Sequence, residues 1–367
     1  MILKSPKKSE PFFRKRRERL RSKIVGLHLD GALITNINNV SYLSGFAGTS
    51  AMMVITPGKD FFFTDFRYTS QAQTEVIGPE IIEYKDPAAP VLQLVKEEKM
   101  ATLGFEADHV SVTRAEKIKK ELGGATFQAT TGLVESIRII KDEPEIEAIK
   151  ALLSMLAETF PVAIELIRPG AIERDVALEL EYRLRKLGAD GPAFDFILAS
   201  GARSAIPHGI ASEKIISTDE MVTLDWGAKA LGYYSDNTRT IALGNVDSEL
   251  LKIYDIVLEA NRAAIEFVRP GVTTKEIDNV ARSIIKKAGY GGAFGHGTGH
   301  GVGLDIHENP RVSWNDGSVV EDGMVFTIEP GIYLPKKGGV RIEDMVIVTK
   351  TGHELLSGNI PKDLIRL

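Results

Sequence analysis

The sequence contains no cysteine. Disulfides, thiol nucleophiles and thiolate metal sites are excluded, so any metal must sit on histidine, aspartate and glutamate. Apolar runs long enough to span a bilayer, about 18 residues, are also missing, and no membrane segment is expected. Excess positive charge is lacking. The 45 basic residues face 50 acidic ones, a formal net charge of −5, which argues against a nucleic-acid partner. The basic stretch from Lys4 to Lys23 has no apolar core of the kind a signal peptide needs. Phe13, Leu20, Ile24 and Leu27 recur there at near-helical spacing, so the stretch reads as the solvated face of a first helix, and a cytoplasmic location is expected. Several catalytic signatures are missing too. The glycine-rich stretch holds no G-x-G-x-x-G and no Walker-type lysine, which disfavours a nucleotide-binding enzyme. There is no G-x-S-x-G, and His353-Glu354 is followed by Leu355, Leu356 and Ser357, which is not H-E-x-x-H.

What the chain does have is concentrated in Phe294 to Pro310, F-G-H-G-T-G-H-G-V-G-L-D-I-H-E-N-P. His296, His300 and His307 sit among Gly295, Gly297, Gly299, Gly301 and Gly303. Glycine permits close backbone approach and positive φ, at an entropic cost that argues against an ordinary helix or strand interior. The run is expected to bring imidazoles to a crowded point and then, through Val302, Leu304 and Ile306, to become a buried strand.

At 367 residues the chain has room for two or three domains. Short apolar runs at Gly31–Thr35, Ala51–Thr56, Phe61–Thr64, Ile81–Tyr84 and Leu103–Phe105 alternate with helical patterns at Arg67–Val76, Val91–Lys99 and Thr113–Leu122. Pro57-Gly58-Lys59 reads as a hairpin turn. The alternation predicts an α/β domain over residues 1–135, in which Asp65 and Arg67 are read as structural. Asp142 or Glu143 before Pro144 opens a long helix to about Ile167, and the domain junction is placed there, with a second domain over 136–367.

The second domain repeats itself. Ala163-Ile164-Glu165-Leu166-Ile167-Arg168-Pro169-Gly170 matches Ala264-Ile265-Glu266-Phe267-Val268-Arg269-Pro270-Gly271, and Met221-Val222-Thr223-Leu224-Asp225-Trp226-Gly227 resembles the stretch Met324 to Gly331. Half-repeats of about 144–245 and 250–350 predict a pseudo-two-fold domain with its site between the halves. Each half offers two carboxylates on paired antiparallel strands: Asp225 and Asp236 in the first, Glu329 and Glu343 in the second. Four converging acids in apolar strands cannot all ionise without counter-charge. Shared protons, arginine pairing and cations are the available solutions. Arg239 and Arg341 beside four acids leave a deficit, whereas two divalent cations with His300 as a neutral nitrogen ligand fit the inventory.

L-D-W-G, S-D-N-T-R-T, G-T-G-H-G-V-G-L-D-I-H-E, T-I-E-P-G-I-Y and V-R-I-E-D resemble the pita-bread metallopeptidases, and among them the proline-specific branch of aminopeptidase P and Xaa-Pro dipeptidase. The resemblance extends to N-V-S-Y-L-S-G-F and T-D-F-R-Y in the first domain. It implies an α/β creatinase-like N-terminal domain and an α+β pita-bread catalytic domain with internal pseudo-two-fold duplication. Its ligand set is Asp225, Asp236, His300, Glu329 and Glu343, with Asp236 and Glu343 bridging two divalent ions, Asp225 completing one site and His300 with Glu329 the other. Manganese or cobalt is expected, with zinc or iron as alternatives. His208, His296 and His307 match non-ligand histidines that bind substrate and stabilise the transition state, and Glu329 would shuttle a proton. Arg341 is expected to orient Glu343 or touch substrate, Tyr333 to lie near the site, and Arg311 to meet a substrate carboxylate. Trp226 stands where the family usually has a less bulky residue and reads as local packing. The implied substrate is a small peptide with proline at its second position, and the implied assembly a homodimer. A methionine-type aminopeptidase, a metal-free creatinase and a non-catalytic binding module on the same scaffold are the alternatives. The first is disfavoured by the N-terminal domain, the others by five filled ligand positions.

Overall fold

The computed structural model describes residues 10–367 and divides them into two compact units, one running to Arg138 and the other spanning Ile139–Leu367. No helix among the described residues is long and apolar enough to cross a membrane.

The first unit opens with α1 (Glu10–Gly26), which buries Phe13, Leu20 and Ile24. The part of the basic stretch before Glu10 lies outside the described residues. Leu27 falls beyond the helix end and is exposed. The helix's basic side is not wholly solvated either. Arg16 and Arg17 are buried, and Arg17 donates to Asp60 and to the carbonyls of Leu43 and Ile77. A guanidinium carries enough donors to tie three segments to one helix. Strands β1 (Gly31–Ile34), β2 (Ala51–Ile55), β3 (Asp60–Asp65), β4 (Glu80–Tyr84), β5 (Thr102–Glu106) and β6 (Thr126–Thr130) form one mixed sheet in the order β4-β3-β2-β1-β5-β6. Around it run α2 (Ile37–Ser44), α3 (Thr69–Glu75), α4 (Ala89–Glu97), α5 (Val112–Glu121) and α6 (Glu135–Arg138). The apolar periodicity assigns no helix between β1 and β2. There α2 is set by its ends: the Asn36 side chain caps the Asn38 N–H at 3.0 Å, and Gly45 closes the helix at φ +82°.

The second unit begins with α7 (Glu143–Leu166). Asp142 is its N-cap, forming a reciprocal capping box with Glu145, and Pro144 sits in the first turn. There follow α8 (Glu173–Leu187), β7 (Gly191–Pro192), β8 (Ile197–Ser200), β9 (Glu220–Trp226), β10 (Ala228–Ala230), β11 (Tyr233–Tyr234) and β12 (Asn237–Leu243). The second half answers with α9 (Ser248–Phe267), α10 (Thr274–Lys287), β13 (Gly299–Gly301), β14 (Glu308–Val312), β15 (Val325–Ile328), β16 (Gly331–Leu334), β17 (Gly338–Arg341), β18 (Asp344–Thr349) and β19 (Gly352–Leu355). The main sheets are β12-β9-β8 and β14-β13-β15-β18-β19. Val257 and Ala264 of α9 and Ile277 and Ala281 of α10 belong to one core with Phe326, Ile328, Val346 and Val348.

The internal repeat is visible down to single bonds. Gly170 and Gly271, the two Arg-Pro-Gly glycines, both have φ +89°, and an added Cβ would meet nothing, so backbone conformation alone asks for glycine there. Gly170 N–H donates to Ile216 O and Gly271 N–H to Val320 O, both at 2.9 Å. The bridges Ile172–Ile215 and Thr273–Val319 follow in the same places.

Candidate metal centre and active site

Asp225 lies within β9, opposite Thr238 of β12. The other three acids, expected inside strands, stand one residue outside them: Asp236 just before β12, Glu329 just after β15, Glu343 just before β18. Their backbones remain anchored, Glu329 N–H to Thr298 O at 2.7 Å and Glu343 N–H to Thr238 O at 3.1 Å. Asp225, Asp236 and Glu343 are buried. Their strand contexts supply the burial, and the exit from regular pairing frees the side chains to converge.

His300 is carried by β13, and here the expectation for the glycine run needs correction. Glycines 299 and 301 are strand residues, and the segment after them, Val302 to His307, is irregular rather than a buried strand. Val302 and Leu304 are buried, but Ile306 is only partly covered and His307 is exposed. The reason is close approach. A Cβ on Gly299 would stand almost on the Thr327 carbonyl oxygen, and one on Gly301 would press on the Asn309 carbonyl. The β13–β14 ladder shifts register between His300 and Gly301, which re-aims the chain.

Asp236, His300 and Glu343 each place one ligand atom so that all three lie within 4.8 Å of one another. His300 Nδ1 is 3.1 Å from Gly301 O. A carbonyl only accepts, so Nδ1 carries the proton and the Nε2 lone pair points the other way. It faces Asp236 Oδ2 at 3.6 Å and Glu329 Oε1 at 3.7 Å. Burial holds the imidazole neutral, its pKa lowered to about 3. A ring nitrogen and carboxylate oxygens thus face one another around one point. Without a cation the acids must keep their protons. Burial first, then the neighbouring carboxylates, push Asp236 and Glu343 well above the usual range, and burial raises Glu329 to about 7. One oxygen each of Asp225 and Asp236 is buried with no hydrogen-bond donor. Inward-facing oxygens, an aimed nitrogen and orphaned acceptors make a donor set that fits divalent cations.

Arg341 donates to Asp225 Oδ2 at 2.7 Å, to Tyr333 Oη and Pro207 O at 3.0 Å, and to Thr238 Oγ1 at 3.1 Å. Its hydrogen bond to a site carboxylate goes to Asp225 rather than to Glu343. Thr238, which the sequence reading passed over, joins the two by accepting from Arg341 and donating to Glu343 Oε2 at 2.7 Å. Its signal was its position two residues after Asp236, on the same strand face. His296 is also fixed. Arg341 can only donate to the Tyr333 oxygen, so the tyrosine proton goes to His296 Nε2 at 2.9 Å, while His296 Nδ1–H donates to Gly297 O at 2.7 Å. Burial lowers its pKa to about 4. The exposed ring of His307 stands 4.3 Å from that of His300, edge-on. Burial lowers its pKa, His208 and Arg311 lower it further and Asp225 opposes them, so these four groups share one electrostatic neighbourhood. His208 and Arg311 are exposed, and Arg311 on β14 is the ladder partner of His300. Trp226 is wholly buried and stacks on Phe160 of α7, ring centroids 5.7 Å apart.

The chain matches Metallopeptidase family M24 over residues 147–350 and the Creatinase/Prolidase N-terminal domain over residues 16–140. It is 40% identical over 331 residues to the Xaa-Pro dipeptidase of Pyrococcus horikoshii, covering 90% of this chain and 93% of that one. Among solved structures it resembles the Xaa-Pro dipeptidase from Bacillus anthracis, with TM-score 0.94, 44% identity and coverage of 97% of this chain and 100% of that one. The X-Pro aminopeptidase from Thermotoga maritima is similar too, with TM-score 0.88, 38% identity and coverage of 96% and 100%. The buried acids, the aimed imidazole and these likenesses agree: the chain belongs to metallopeptidase family M24, with a creatinase-type N-terminal domain ahead of its catalytic domain.

Proposed function

We propose that the protein hydrolyses the Xaa-Pro bond of dipeptides and short peptides, using two divalent cations held by Asp225, Asp236, His300, Glu329 and Glu343. The observation that carries this reading is the unprotonated His300 Nε2 facing two carboxylates inside a buried acid cluster. Asp236 and Glu343, just outside strands of the two halves, would hold the ions together with Asp225, His300 and Glu329. Bound there, the ions would supply water of lowered pKa and a polarised scissile carbonyl.

The chain's own groups do the rest. Glu329, whose carboxylate lies 3.7 Å from His300 Nε2, is placed to pass a proton to the leaving proline nitrogen. His307 stands at the exposed edge of the His300 ring, where a neutral imidazole can donate to the developing oxyanion. His208 and His296 contact substrate, and Tyr333 keeps the His296 ring in one tautomer. Arg341 acts from behind, holding Asp225 and Tyr333. Arg311 is exposed in the neighbourhood of His307 and His208, where a free carboxylate of a dipeptide would lie. The same reading has the protein as a cytoplasmic homodimer using manganese or cobalt, which light scattering and elemental analysis test.

A substrate panel decides the reading. After chelation and reloading with manganese or cobalt, Ala-Pro and Ala-Pro-Ala are cleaved and Met-Ala-Ser is not. Cleavage of Met-Ala-Ser alone overturns the proline assignment. Cleavage of Ala-Pro but not Ala-Pro-Ala, abolished by Arg311→Ala, identifies a dipeptidase that reads the carboxylate.

A further inference from the structure

Helix α10 presents Arg282 to the segment that carries His296. The guanidinium is held by Asp278, one turn earlier on the same helix, through two bonds of 2.8 Å. Its remaining donors leave the helix, Nη1 to Phe294 O at 3.0 Å and Nη2 to His296 O at 2.8 Å. Its flat faces are covered as well, by Phe294 at 4.3 Å and Trp314 at 4.6 Å from the ring centroids. Phe294 in turn meets the His296 ring edge-on at 5.1 Å. Asp278, almost wholly buried, also accepts from Thr298 Oγ1 at 2.8 Å. One planar cation thus fixes the backbone on either side of Gly295, a residue that by itself would leave the loop free.

We propose that Arg282 is a positioning residue for His296: its fork on the Phe294 and His296 carbonyls, clamped by Asp278 and stacked between Phe294 and Trp314, sets where the His296 imidazole meets substrate. This rests on the substrate role given to His296 above. Lysine keeps the charge at position 282 but supplies neither the fork nor the stacking plane.

The test uses the full-length, metal-loaded enzyme with an Xaa-Pro dipeptide. Arg282→Lys is expected to lower kcat/KM about ten- to a hundredfold, with metal content unchanged, since the proposed ligands are other residues. Trp314→Ala removes only the outer face of the stack and is expected to give a smaller loss in the same direction. It keeps the test open should position 282 variants fold poorly. In a His296→Ala background, Arg282→Lys should add less than about twofold. On zinc-loaded, diamagnetic protein, nitrogen-detected imidazole spectra should show the His296 signals moved by Arg282→Lys. Seven histidines make the assignment tractable. The proposal is overturned if those signals stay put, if the two substitutions multiply fully, or if activity falls only in proportion to lost metal. Should His296→Ala alone leave activity intact, the substrate role of His296 fails instead, and the imidazole spectra still judge Arg282.

Discussion

Asp236 concentrates the electrostatic problem of the site in one side chain. It is buried, it faces the His300 lone pair, and one of its oxygens has no donor. Asp236→Asn is expected to abolish stoichiometric metal binding and reduce activity by at least about a hundredfold. The metal-free variant should melt no lower than the metal-free parent, because one of the crowded acids has gone. A large loss of metal-free stability would show that the carboxylate is structural. His296 gives a prediction of opposite kind. Its folded pKa, about 4, lies below the ordinary histidine value of 6.5. Between those values the unfolded chain binds the proton and the folded one does not. The contribution of the neutral ring is therefore present above pH 6.5 and lost as pH falls toward 4, on the order of 3 kcal/mol. His296→Gln should shrink the drop in melting temperature between pH 7 and pH 4.5. An undiminished drop would assign that acid sensitivity elsewhere. The five proposed ligands could be read from sequence because charge crowding is a matter of residue type and order. Thr238 carries only its spacing from Asp236 and Arg282 carries no mark at all, since their partners lie elsewhere in the chain: Arg341 and Glu343 for one, Phe294 and His296 for the other.

Among the elements, β13 depends most on absent side chains. Gly299→Ala would drive a methyl into the Thr327 carbonyl, which is backbone and cannot rotate away. A destabilisation of about 3 kcal/mol or more is expected, read from denaturant midpoints, together with loss of metal binding through His300. Gly271→Ala is the milder control. It meets no atom and suffers only from φ +89°, so about 1–2 kcal/mol and intact metal binding are expected. If the two cost the same, close approach is not what selects glycine in β13. Glycine density argues against a strand on entropy alone, but the deciding quantity is the distance to neighbouring strands, which sequence order does not reveal. The helix α2 is hard to read in the sequence because a cap and a stop mark it, Asn36 and Gly45, rather than an apolar stripe. The capping box at Asp142 was legible because proline and acids mark it locally.

At the scale of the molecule, all the proposed ligands lie in Ile139–Leu367. Adding manganese or cobalt to chelated protein should therefore slow amide exchange in β9, β12, β13, β15 and β18 and leave the sheet of the first unit unchanged. At a hundred times the dissociation constant the stabilisation is about 2.7 kcal/mol. Protection confined to the first unit would place the metal elsewhere. The duplication could be read from the Arg-Pro-Gly repeats because both copies answer to one local constraint, a positive φ, which sequence records directly. Which strands neighbour which across the halves is set by long-range pairing that sequence order does not record.

The two tryptophans occupy opposite surroundings: Trp226 is sealed against Phe160 beside Asp225, while Trp314 is 47% exposed against the Arg282 guanidinium. Their emission should separate by colour, blue from the sealed indole and red from the wet one. Cation uptake at the acid cluster and disturbance of the histidine loop can thus be watched as two optical channels in one unlabelled sample.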